Sequence, residues 1–103
     1  MRYRFDGTKA LMVFCDETRL KVIELLRSGE KTASMLLEQV NVGQSTLSHH
    51  MRILVESGII TARKVHKWTY YSICESGRQR VAEMLKQLTS LIGSGVSDAK
   101  HRV

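Results

Sequence analysis

The stretch QSTLSHHMRILVESGIITARKVHKWTYYSI, residues 44–73, decides the fold. Its first part sets Leu47, Met51, Leu54 and Val55 at the i, i+4, i+7, i+8 spacing of a half-buried helix. Gly58 ends that helix, and the period then changes. Ile59–Val65 is rich in β-branched residues, and Trp68–Cys74 is a second strand-like run. Only His66 and Lys67 lie between them, so the pair reads as a β-hairpin with a basic tip.

Upstream, Asn41-Val42-Gly43 is a tight break. Before it a short helix carries Met35, Leu36 and Val40, with Thr32 placed to cap it. An earlier helix starts from Asp16 as N-cap and sets Leu20, Ile23 and Leu26 on one face. Ser28-Gly29 stops it, Gly29 being suited to a left-handed C-cap. Thr8–Phe14 supplies one more short helix. Downstream, Ser76 and Gln79 form an S-x-x-Q capping box that opens a last helix. Its apolar stripe is Val81, Leu85, Leu88 and Ile92, joined by Met84 and Leu91, and Gly93-Ser94-Gly95 ends it.

Two helices joined by a glycine-containing break form a helix-turn-helix unit, and a basic hairpin directly after the second is a wing. The predicted fold is therefore mostly α with a β-hairpin wing, a winged helix-turn-helix. Residues 1–92 form a domain for DNA binding and dimerisation, and residues 93–103 a flexible tail. A chain of 103 residues suits one such domain. One this small leaves much of its apolar surface uncovered, which favours a homodimer.

The net charge of +6 points to nucleic acid or an anionic membrane surface. No apolar run reaches the roughly 20 residues of a membrane helix. The start, Met1 to Asp6, lacks the apolar region of a signal peptide. The expected partner is duplex DNA rather than membrane, and the expected compartment the cytoplasm. Two cysteines, Cys15 and Cys74, are too few for a disulfide framework, and their spacing fits no zinc ribbon. There is no nucleophile–base pair at a sensible spacing, no glycine-rich phosphate loop and no paired carboxylates, so an enzyme is not expected.

A recognition helix puts its N-terminal residues into the major groove. The polar face there is Gln44, Ser45, Thr46, Ser48, His49, His50 and Arg52. Gln pairs bidentately with adenine and Arg with guanine, while Ser and Thr reach bases or phosphates. The bland alternative is that Ser45 or Thr46 only caps the helix and the histidines are solvated. On the hairpin, Arg63, Lys64 and Lys67, with His66, suit phosphate contact. Trp68, Tyr70 and Tyr71 could stack single-stranded bases. Strand alternation splits them between two faces, which favours core packing.

These residues resemble a known family, the ArsR/SmtB metal-responsive repressors. The resemblance rests on Asp16–Leu20, Gln44–Met51, Leu54–Ile60, Arg63-Lys64 and Lys67–Ile73, and covers roughly residues 8–92. It is closest to the arsenic-responsive members. It implies a homodimer built from the first and last helices, with Leu11, Met12, Val81, Met84, Leu85 and Leu88 at the seam. It also implies an inverted-repeat operator, and an inducer that lowers DNA affinity.

The inducer site is where the chain departs from the family. Arsenic- and cadmium-type members carry Cys-x-Cys at the start of the third helix, because soft ions need thiolates. Thr32 and Ser34 stand at those positions here. Zinc-type members use Asp and His on the last helix, where residues 77–92 offer only Glu83. A cofactor is therefore either absent or a thiophilic metal or metalloid held elsewhere. Cys15 and Cys74 are the candidates, as metal ligands or as a redox pair, and as buried small residues otherwise. His101 in the tail is a further possible ligand. Three functions stay open: a repressor whose sensor is lost or relocated, a repressor sensing through Cys15 and Cys74, and a winged helix that binds protein instead of DNA.

Overall fold

A computed structural model describes residues 7–93. Of the predicted tail 93–103, Gly93 is instead the last residue of the final helix; the rest, with His101, and the start from Met1 to Asp6 lie outside the described residues. Helix α1 (Gly7–Met12) runs through a 3-10 turn (Val13–Cys15) into α2 (Glu17–Leu26). Strand β1 (Lys31–Thr32), α3 (Ala33–Gln39) and α4 (Gln44–Glu56) follow. The wing is β2 (Ile60–Val65) and β3 (Trp68–Ile73), and α5 (Glu75–Gly93) closes the order.

The Asp16 and Thr32 caps form. The Asp16 carboxylate accepts from the Arg19 N–H at 3.0 Å, and the Thr32 hydroxyl from the Met35 N–H at 3.3 Å. Gly29 takes φ +135°, as expected of the residue that ends α2. Leu47, Met51 and Leu54 of α4 are buried against Val22 and Leu26 of α2, Leu36 of α3, and Ile59 and Ile60 at the wing's root. Each such side chain contributes about 1.5–3 kcal/mol on burial.

Four expectations change. Leu20 is exposed, because α2 turns its Val22–Leu26 edge to the core rather than the Leu20–Ile23–Leu26 edge. Trp68 is 47% exposed, so it is not a core aromatic; Tyr71, on the other face of β3, packs against the core instead. The wing has three strands in the order β1-β3-β2, all antiparallel, with Thr32 opposite Tyr70 and Ile60 opposite Ile73. The capping box does not form. The helix begins one residue before Ser76, with the Arg78 N–H bonded to the Cys74 carbonyl at 2.9 Å, and Gln79 reaches Glu75 at 3.0 Å.

Two close contacts fix the wing to the body. The Cys74 N–H donates to the Ile59 carbonyl at 2.8 Å, closing the hairpin at its root. Gly77 lies directly on the Gly58 carbonyl: a Cβ there would fall 1.8 Å from that oxygen. At the other end of the hairpin His66 adopts φ +57°, the left-handed region where glycine is the usual residue.

Candidate nucleic-acid interface

Helix α4 starts at Gly43, whose extended backbone (φ −79°, ψ 174°) supplies no capping side chain. Neither Ser45 nor Thr46 caps the helix. Its first backbone N–H groups, with their partial positive charge, therefore face outward without a side-chain acceptor. Gln44, Ser45, Ser48, His49 and Arg52 are all exposed and line one shallow surface. Their spacing is that of a single helix face. Thr46 is exposed as well, beside this group.

His50 is turned the other way. Its side chain is 13% exposed, with Nε2 3.7 Å from the Asp16 carboxylate. Its Nδ1 is buried without a hydrogen bond among the described residues, as is Nε of Arg19 nearby. The Asp16 carboxyl is held below its ordinary value, chiefly by the Arg19 N–H and, less, by His50. His50 thus lies between α4 and the first turn of α2, beside the Asp16 cap.

Wing cations divide in the same way. Arg63 donates to Glu30 through Nε at 3.2 Å and Nη2 at 2.8 Å, and stacks 4.8 Å over the Tyr70 ring. Its charge is compensated, and the pairing raises the Arg63 pKa further. Lys64, His66 and Lys67 are exposed, with the Lys67 ammonium 5.8 Å over the Trp68 ring. Lys64 and Lys67 have no ion pair among the described residues. A cleft of about 400 Å³ runs between α3, α4 and the wing, lined by Ser34, Gln44, Ser48, Lys67, Trp68 and Thr69. Gln44 and Ser48 belong both to it and to the outer face of α4. The surface is therefore continuous from helix to wing tip.

The seam residues also divide. Met12 (60% exposed) and Leu85 are open, while Leu11, Met84 and Leu88 are half-buried. Val81 is covered within the chain by the core. Leu91 and Ile92 add 70% and 66% exposed apolar side chains to the same helix.

At the start of α3 the Thr32 hydroxyl is committed to its cap, and Ser34 lines the cleft between α3, α4 and the wing. Neither donor suits a thiophilic ion. Cys15 is exposed and Cys74 half-buried, both free, and the described residues hold no cluster of three or more metal-ligating side chains. Cys74 immediately precedes α5, and its thiol pKa is lowered, first by the Ser76 hydroxyl at 3.5 Å and then by the Gly77 N–H.

The long-range partners were not visible in the sequence: Glu30 for Arg63, Asp16 for His50. The cleft contribution of Trp68 was missed too, although its place beside the basic tip was a usable signal.

A glycine-broken helix pair with a basic wing alongside its second helix defines a winged helix-turn-helix DNA-binding protein. Residues 16–62 match the family described as bacterial regulatory protein, arsR family. An uncharacterized HTH-type transcriptional regulator of Methanocaldococcus jannaschii is 35% identical over 79 residues, 76% of this chain and 85% of that one. The arsenical resistance operon repressor of Staphylococcus aureus is 40% identical over 63 residues, so the match spans 61% of that relative's length as well as 61% of this chain. The crystal structure of an ArsR family transcriptional regulator has this fold, with a TM-score of 0.79 at 22% identity over 92% of this chain and 98% of that one. The chain belongs to the ArsR family of DNA-binding transcriptional repressors.

Proposed function

We propose that this repressor binds an inverted-repeat operator as a homodimer in the cytoplasm, without the thiolate metal site at the third helix. The observation that carries the reading is the unbroken polar surface from Arg52 through Gln44 and Ser48 to Lys67. In it, Gln44, Ser45, Ser48, His49 and Arg52 read base edges in the major groove. Lys64 and Lys67 contact phosphates and fix the register without reading sequence. His50 and Arg63 take no part in reading: one positions α4 and the other braces the wing. The exposed Met12, Leu85, Leu91 and Ile92 leave an apolar strip along α1 and α5 that a second copy covers. Transcription is blocked by occupancy of the promoter, and the chain acts by binding rather than by catalysis.

Fluorescence anisotropy on the chain's own promoter, over a series of salt concentrations, tests this. Arg52→Ala should cost about 1–3 kcal/mol against the preferred sequence and little against scrambled DNA. Lys64→Ala and Lys67→Ala should each weaken binding on all sequences and reduce the salt slope by about one. Undiminished discrimination in Arg52→Ala would remove α4 from the major groove. Leu85→Glu should give a monomer in sedimentation; a persistent dimer would move the seam.

A further inference from the structure

Away from the DNA face, a cavity of about 690 Å³ opens between the end of α2, the root of the wing and the start of α5. Its floor is the core itself. Leu26, Ile59 and Val81 are buried core residues, and Phe14, Ile23 and Ile73 pack half-buried beside them. The volume lies within the roughly 300–1,000 Å³ typical of sites for small organic molecules, which combine apolar walls with a few polar groups.

Four charged side chains stand around this floor: Arg27, Glu30, Glu75 and Arg78. Three are already compensated, since Glu30 receives Arg63 and Glu75 receives Arg78. Arg27 has neither an ion pair nor a side-chain hydrogen bond among the described residues. An apolar floor therefore lies under a rim with one uncompensated positive charge. That charge belongs to a guanidinium, whose planar fork matches a carboxylate.

We propose that this cavity binds a small apolar carboxylate, its hydrocarbon body on the Leu26–Ile59–Val81 floor and its head on Arg27. A cationic head is repelled there, and a neutral one gains only the floor. The body would touch α2, the wing root and α5 at once, so on the operator-binding reading it bears on both the wing and the helix of the dimer seam. Binding itself needs no DNA and is measured without it.

Isothermal titration of the full chain with decanoate and with 1-decanol, both below the concentration at which they aggregate, tests the site. Decanoate should bind once per chain and about tenfold more tightly than the alcohol. Arg27→Gln should remove that preference and keep the binding of the alcohol. Ala82→Phe, on the α5 wall, should fill the cavity and abolish both. Ser72→Phe, on the β3 wall, serves the same purpose should the first variant fail to fold. Equal affinity for acid and alcohol, or an Arg27→Gln variant that keeps the preference, overturns the carboxylate assignment. Binding that survives a folded cavity-filled variant places the ligand elsewhere and overturns the site. Absence of saturable binding overturns it too.

Discussion

Position 77 has no room for a methyl group. A Cβ there would lie 1.8 Å from the Gly58 carbonyl oxygen and 2.8 Å from its carbon. Both are backbone atoms of the turn that joins α4 to the wing, so no side-chain rotation relieves the clash. Gly77→Ala must lift the first turn of α5 off that turn. Helix propensity favours the change by at most about 1 kcal/mol. Overpacking opposes it with about 1–3 kcal/mol, and a backbone obstacle belongs at the upper end. The net is a destabilisation of about 2 kcal/mol. For a domain of this size each 1 kcal/mol moves the thermal midpoint by roughly 4–8 °C, so the midpoint should fall by about 8–16 °C. Circular dichroism melts at one fixed chain concentration measure it, since self-association would itself shift the midpoint. Gly93→Ala is the control. It lies in the same helix with nothing within 4 Å of an added Cβ, and its stability should stay within about 0.5 kcal/mol of the parent's. A Gly77→Ala chain melting at or above the parent would show that α5 does not sit on Gly58 as described.

The two neighbouring histidines should behave oppositely. His50→Ala should lower stability by about 1–2 kcal/mol and weaken binding to all DNA alike, while His49→Ala leaves the melt unchanged and alters sequence preference; the reverse pattern would exchange their roles. Asp16 has a folded pKa below its ordinary 3.8, so its cap contributes fully above that value and is lost as pH falls through the lower, folded one. Asp16→Ala should cost about 1 kcal/mol at pH 7 and progressively less towards pH 3; a pH-independent difference in urea melts would contradict the cap. Cys74 should be alkylated by iodoacetamide with a pH midpoint below 9.0, and Ser76→Ala should raise that midpoint. A midpoint at or above 9.0 in the parent would show that the hydroxyl contact does not form.

What was legible in the sequence is what repeats or is local. The Leu47–Met51–Leu54 stripe, the Asp16 and Thr32 caps and the change of period at Ile59 each depend on residues a few positions apart, and each appears in the fold. What was not legible depends on distant partners. A strand of two residues has no period to read, and Lys31–Thr32 is a strand only because Tyr70 and Tyr71 lie beside it. The charge of Arg63 is cancelled by Glu30, 33 positions away. His49 and His50 look alike in a polar run, but a helix turns about 100° per residue, which sends one outward and the other to Asp16. Val81 belongs to the apolar stripe of α5, yet the core reaches it before any partner can.

The two-residue strand also sets an order of assembly. β2 meets β3 across His66 and Lys67 alone, so this hairpin closes on the microsecond scale of local contacts. β1 meets β3 only across about forty intervening residues, which include α3 and α4, and that larger loop carries a larger entropic cost. Two strands alone are marginal in water. The wing therefore forms and dissolves repeatedly before the helix pair delivers β1 to its edge. Pairing with β1 is therefore the later of the sheet's two pairings to form.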